Sequence, residues 1–235
     1  MVKYPLTCID NFFPNPTSIV NYANTLSYEA DGEGRWPGYR SPALHKINPD
    51  FFSHICIKYL RAHHSEEDMK HLYYKASAHF QIVNTKYTEG WVHTDYPITH
   101  TFIIYLSPLA DLNSGTSFYE QKDGSKTIPN DYAGAKKLYY KKIRDNVEIT
   151  EKEKKFFNKV HKLNNSLFTE TASFKNLFNR CIGFDGYLWH GAGKFNTNVD
   201  QDRLTLIVFF DEISTPTTGL QRSYSTPFTT GNIIY

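Results

Sequence analysis

The sequence predicts a mainly β protein with flanking helices, a double-sheet jelly roll of the cupin-like kind, and three observations carry that expectation. Runs rich in β-branched and aromatic residues recur at 72–85, 99–106, 116–120, 179–189 and 203–210. Helical spacing precedes them at 17–27 and 49–63. Residues 121–175 interrupt the strands with a lysine-rich stretch whose apolar residues return to helical spacing. Many short strands with early helices and one helical excursion suggest a double-sheet jelly roll. At 235 residues the chain is expected to form one domain, because barrels and sandwiches of this size often stay undivided. Within it, residues 1–70 make an N-terminal flank, 71–120 and 176–213 supply barrel strands, 121–175 form an inserted lid, and 214–235 a C-terminal tail.

Taken in order, residues 9–16 read as a short strand closed by Pro14 and Pro16, which cannot continue a ladder. Ile19, Val20, Tyr22, Ala23 and Leu26 give 17–27 an apolar helical face. Residues 31–41 are loop by composition, yet rich in Arg and aromatics, the residue types of binding surfaces. Their plainer reading is a solvated loop with one Trp tucked beneath it. A second helix begins at Pro49, with Asn48 as its N-cap and Phe52, Ile55, Cys56, Tyr59 and Leu60 as its stripe. Residues 65–68 read as a polar turn. In 72–85, Tyr74, Ala76, Ala78, Phe80 and Ile82 alternate with Lys75, Ser77, His79 and Gln81, the pattern of a strand. Residues 91–97 read as another strand, 99–106 as a central one, 108–115 as a connection and 116–120 as a short strand. Helical spacing in the insertion centres on 132–143 and 150–163, and strands resume at 179–189 and 203–210.

Composition narrows the function classes. A formal net charge of +2 gives no whole-molecule case for nucleic-acid or membrane binding. Hydrophobic content of 40%, with 16% aromatics, is ample for a core. Cys8, Cys56 and Cys181 are scattered and odd in number, so a reducing, cytoplasmic setting is expected. No signal-type apolar region stands at the N-terminus, and no apolar run approaches membrane-spanning length.

The chemistry lies in Trp91-Val92-His93-Thr94-Asp95-Tyr96-Pro97. On a strand, residues two apart face the same way, so His93 and Asp95 converge. His190 follows the apolar run of 179–189, and Arg203 opens Leu204-Thr205-Leu206-Ile207-Val208-Phe209-Phe210. Two His and one carboxylate form a facial set that leaves half an octahedron open. The order His93-x-Asp95, His190, Arg203-x-Thr205 resembles the 2-oxoglutarate/Fe(II)-dependent dioxygenases, above all the prolyl-hydroxylase-like branch with its viral and bacterial relatives. The likeness covers about the second half of the chain and the strand before His93. The loop 194–202 sets Arg203 further from His190 than is usual in that branch.

The resemblance implies a double-stranded β-helix with His93, Asp95 and His190 as catalytic metal ligands at its mouth, and Fe(II), 2-oxoglutarate and O2 as cofactor and co-substrates. It implies an enzyme that hydroxylates a peptidyl or free amino-acid side chain, releasing succinate and CO2. Arg203 offers a permanently charged planar fork for the distal carboxylate of 2-oxoglutarate. Thr205 lies on the same face, Tyr105 matches the strand tyrosine of the branch, and Asn84 is a candidate for the C1 carboxylate. The plainer reading of Arg203 is a salt bridge to Asp202 or Asp211. His45, His54, His63, His64, His71, His79, His100 and His161 lack paired ligand spacing and read as surface or satisfied core. The insertion would cover the barrel mouth, bringing Tyr132, Tyr139 and Tyr140 near a peptide or small-molecule substrate. Two alternatives stand beside this reading. One is a non-catalytic cupin-like metal-binding or structural protein, which has no need of a buried Arg. The other is a nucleic-acid demethylase, a branch with a second Arg on the strand where this chain runs Ile207-Val208-Phe209-Phe210.

Overall fold

The computed structural model of the chain describes residues 6–87, 90–122, 130–195 and 202–216. Residues 217–235 of the expected tail, 123–129 of the insertion and 196–201 of the loop before Arg203 lie outside them. Chain order is β1 (Thr7–Ile9), α1 (Pro16–Asn24), β2 (Glu29–Ala30), β3 (Tyr39–Arg40), α2 (Leu44–Ile47), α3 (Pro49–Leu60), α4 (Glu66–Lys70), β4 (Tyr73–Val83), β5 (His100–Tyr105) and β6 (Thr116–Gln121). There follow α5 (Asn130–Arg144), α6 (Glu151–Ser166), β7 (Phe168–Phe174), β8 (Cys181–Asp185), β9 (Trp189–Ala192) and β10 (Arg203–Ser214).

The strands form two antiparallel sheets, a large one in the order β1-β8-β5-β10-β4-β3-β2 and a small one in the order β7-β6-β9. The predicted jelly roll with flanking helices is therefore the fold observed. β5 sits between β8 and β10, as its β-branched and aromatic run predicts for a strand covered on both faces. Alternation along β10 divides two environments. Leu204, Leu206, Val208 and Phe210 join the core beneath the N-terminal helices, with Phe80 of β4, Phe102 of β5 and Ile55, Tyr59 and Leu60 of α3. Arg203, Ile207 and Phe209 instead line a cavity on the opposite face. The small sheet closes over that face, with Phe118 of β6 edge-on to Phe184 of β8 at 5.1 Å between centroids.

Two glycines set close approaches. A Cβ on Gly183 would lie 1.6 Å from the Tyr59 hydroxyl oxygen, so only glycine lets α3 seat its tyrosine on β8. Gly38 has φ +73° and passes against the Ile82 carbonyl, which a Cβ would meet at 2.0 Å; this turn delivers Arg40 to the sheet.

Several expected elements differ. The first strand is earlier, at Thr7–Ile9, because Asn179 captures the Phe13 backbone: its Oδ1 accepts from the Phe13 N–H and its amide donates to the Phe13 carbonyl, each at 2.8 Å. The polar turn at 65–68 begins a helix instead, with the Ser65 hydroxyl accepting from the Asp68 N–H. The loop 31–41 ends in β3, paired with β4. The run 179–189 is two strands in different sheets, parted by a turn at 186–188. The insertion is shorter than expected, since its last residues form β7 against β6. Residues 91–97 are not a strand but a single bridge at His93. Their neighbouring polar groups find partners on α6: His161 bonds the Gly90 carbonyl at 2.8 Å, and Asn164 reaches the Val92 carbonyl at 3.4 Å.

The helical spacing of the insertion holds. α6 opens with a capping box of Thr150 and Glu153, and its Val160 packs with Ala135 and Tyr140 of α5 against Val83, Tyr87, Trp91 and Phe195. Among the described residues no helix is long and apolar enough to cross a membrane.

Candidate metal centre

His93 and His190 exchange both backbone hydrogen bonds, N–H to carbonyl at 2.9 and 2.8 Å. This bridge brings their rings to 4.5 Å between centroids although 97 positions separate them in the chain. The Asp95 N–H is fixed to the Gly186 carbonyl at 2.8 Å, which turns its carboxylate toward the pair. The His93 Nε2 lies 3.8 Å from Asp95 Oδ1, and the His190 Nε2 lies 3.6 Å from Oδ2. One ligand atom from each residue falls within 4.8 Å of the others, the spacing of donors around a single ion.

The tautomers suit metal binding. A carbonyl can only accept, so the 2.7 Å contact of His93 Nδ1 with the Trp91 carbonyl and the 2.9 Å contact of His190 Nδ1 with the Leu188 carbonyl place a proton on each Nδ1. Both Nε2 lone pairs are left for the common point, and the backbone fixes both ring orientations. Burial, with help from Lys136 and His190, holds the His93 pKa well below the usual imidazole range, which keeps it a neutral ligand. Thr101 of β5 donates to Asp95 Oδ2 at 2.8 Å and steadies the carboxylate. Thr101→Val removes that donor with little change of shape. It is expected to weaken metal affinity about tenfold, as loss of an outer partner commonly does, in a competitive chelator titration.

The cluster opens on a cavity of about 110 Å³. Arg203 lines it, buried, with its Nε–H donated to the Ser114 carbonyl at 3.0 Å and its guanidinium 5.4 Å from the Tyr105 ring centroid. Burial lowers its pKa. Among the described residues no carboxylate pairs with it, so the plainer expectation of a bridge to Asp202 or Asp211 is not met. Tyr105 is buried beside it and donates to the Thr116 hydroxyl at 2.8 Å; Thr116 itself lines the cavity. Thr205 shares the Arg203 face but is wholly buried, with its hydroxyl 3.5 Å from the Gln81 carbonyl, and does not line the cavity. Asn84 is also away from it. β4 ends at Val83, and the Asn84 side chain closes the following turn by accepting from the Lys86 N–H at 3.2 Å.

Gln81 lines the cavity from within β4. With it stand Trp36, Arg40 and Lys136, which were not singled out from the sequence. Two signals pointed that way: the Arg- and aromatic-rich stretch 31–41, and the alternation in 72–85 that sets Gln81 on its polar side. Of the tyrosines expected near the substrate, Tyr140 lines the cavity, while Tyr132 and Tyr139 pack behind it. His79 bonds the Ser41 carbonyl at 2.9 Å, and the Nε2 of buried His100 bonds the Tyr59 hydroxyl at 2.6 Å.

The fold and site together define an antiparallel jelly roll with a His-Asp-His cluster in its mouth. The chain belongs to the family of unknown function DUF6445, whose profile matches residues 2–210. No curated protein matches the sequence. Among solved structures, HygX from Streptomyces hygroscopicus, crystallised with nickel and 2-oxoglutarate bound, is similar at 12% identity and a TM-score of 0.51, over 87% of this chain and 82% of that one. EvdO2 from Micromonospora carbonacea var. aurantiaca is similar at 14% identity and a TM-score of 0.51, over 93% and 91% of the two chains. At these identities the shared property is the fold, and it is the fold that the sequence predicts.

Proposed function

We propose that this chain is a 2-oxoglutarate- and Fe(II)-dependent oxygenase that hydroxylates a peptidyl or free amino-acid side chain, releasing succinate and CO2. The observation that carries the reading is one cavity holding both a tautomer-fixed His-Asp-His set and a buried arginine with no carboxylate partner among the described residues. Two imidazoles and a carboxylate fit Fe(II) and leave coordination positions for a chelating co-substrate. The nickel and 2-oxoglutarate in HygX, which shares the fold, support the same assignment.

In this reading His93, Asp95 and His190 hold the metal, and Arg203 neutralises the far carboxylate, with Tyr105 and Thr116 shaping that end of the pocket. When bound, the metal and its co-substrate supply the oxidising chemistry, with oxidative decarboxylation of the keto acid coupled to hydroxylation. The chain's own residues orient the reactants and exclude water. Trp91, Tyr140 and Phe195 form apolar walls beside the ligands, and α5 and α6 are the cover. The free state of Cys8, Cys56 and Cys181 supports action in the cytoplasm. A bare metal-binding protein gains nothing from Arg203, whose burial without a carboxylate costs stability.

The direct test is succinate formation with Fe(II), 2-oxoglutarate and O2, with and without a panel of peptides and free amino acids. Slow turnover alone, stimulated by at least one panel member, is the expected result; no succinate under any condition sinks the reading. As a cover, α5 and α6 are expected to exchange amide hydrogens faster than β5, and equal protection in hydrogen exchange would count against a lid.

A further inference from the structure

We propose that Arg40 and Lys136 form an anion subsite beside the metal centre, so that the substrate is an acidic molecule presenting a carboxylate or phosphate to this pair. The inference rests on the oxygenase reading for the word substrate, but the subsite itself stands on geometry.

Four cationic side chains line the cavity, and Asp95 is the single carboxylate among its described lining residues. Arg35 is already paired, with its guanidinium 2.9 Å from Asp31. Arg203 faces Tyr105 and Phe195, while Arg40 contacts a separate set of residues, Trp36, Gln81 and Phe209. The charge balance at the centre is simple. Fe(II), Asp95 and doubly charged 2-oxoglutarate together leave one negative charge, which Arg203 neutralises. Arg40 and Lys136 remain without an ion pair among the described residues, an arrangement that costs stability unless an anion meets them.

Arg40 is built to present its charge. Its guanidinium carbon lies over the Trp36 ring, 4.2 Å from the centroid, and over the Phe209 ring at 5.2 Å. Its Nε–H is donated to Gln81 Oε1 at 3.0 Å, and Gln81 is fixed in turn by donating to the Pro37 carbonyl at 2.8 Å. No hydrogen bond from the terminal nitrogens of Arg40 occurs among the described residues, which leaves the paired fork for an oxyanion. Lys136 comes from α5, with its ammonium 5.9 Å from the Tyr140 ring centroid and no ion pair among the described residues. Burial brings its pKa down to about 8. Trp36 and Phe209 add flat apolar surface beside the fork, which suits a planar or apolar body attached to the anion.

The test uses the full chain loaded with Ni(II) and 2-oxoglutarate, which prevents turnover, and follows tryptophan fluorescence, since Trp36 and Trp91 line the cavity. The probes are benzoate and phenyl phosphate, with benzamide as the neutral control. The anions are expected to bind at least about tenfold more tightly than benzamide. Preference for phenyl phosphate over benzoate, or the reverse, identifies which anion the subsite takes. Arg40→Gln and Lys136→Gln should each erase most of that advantage, and Arg40→Lys should restore part of it while keeping the buried charge. Equal binding of anions and benzamide overturns the proposal, as does wild-type anion binding in folded Arg40→Gln and Lys136→Gln proteins. It is also overturned if those variants lose 2-oxoglutarate affinity as Arg203→Ala does, because the pair then serves the co-substrate. If the wild type takes up no 2-oxoglutarate yet binds the anions through Arg40 and Lys136, the oxygenase reading falls and the anion subsite stands.

Discussion

His190→Ala is expected to abolish stoichiometric Fe(II) binding while leaving the fold intact. The ion would lose one of three protein donors, and His93 with Asp95 alone form a two-point site open to water. The loss should exceed the roughly 10–100-fold typical of removing an outer partner, and so exceed the effect of Thr101→Val. The fold should survive because the bridge between His93 and His190 is made by backbone groups, which alanine retains. Truncation leaves a gap beside Phe184, whose ring centroid lies 4.5 Å from the imidazole, at a cost of about 1–3 kcal/mol. Iron content after equilibrium dialysis, set against circular dichroism and the urea midpoint, separates the two effects. Wild-type occupancy in a folded variant would remove His190 from the ligand set.

The local pattern of the chain was the legible part. Asn48 and Pro49 announce α3, and the apolar run of β5 announces a strand covered on both sides. The triad could be read because ligand residue types are rare in apolar surroundings and two of them stand two apart. Yet the reason offered for their convergence, a shared strand, is not the one the structure uses. A cross-chain bridge aligns His93 with His190, and side chains of α6 satisfy the backbone around them. Periodicity sees only neighbours in sequence, so it could not see that 179–189 changes sheet at Gly186, or that β7 belongs with β6. The same limit hid the second group of cations. Arg40 sits on a two-residue strand and Lys136 on a lysine-rich helix that reads as a solvated face, and only packing brings both beside Asp95. Asn84 lies past the end of β4 and off the cavity, because strand ends are set by the turn that follows and not by alternation.

Arg203→Ala is expected to weaken 2-oxoglutarate binding at least about tenfold while sparing metal affinity. Deleting one partner of a desolvated charge pair commonly costs about 2–5 kcal/mol, more than the 1.4 kcal/mol that corresponds to a factor of ten. The metal should be indifferent, because Arg203 contacts Ser114, Tyr105 and Phe195 and no member of the triad. Arg203→Lys keeps the charge but loses the fork, and its shorter ammonium cannot bond the Ser114 carbonyl and a carboxylate with the same geometry; partial recovery is expected. Tyr105→Phe provides a graded control. Its hydroxyl bonds Thr116, which lines the cavity, so its removal should loosen the pocket by about 1 kcal/mol or less. Anaerobic titration of the metal-to-keto-acid charge-transfer absorbance reads all three variants on one scale. If Arg203→Ala titrates like the wild type, the distal carboxylate lies elsewhere, and Arg40 with Lys136 become the first residues to test in its place.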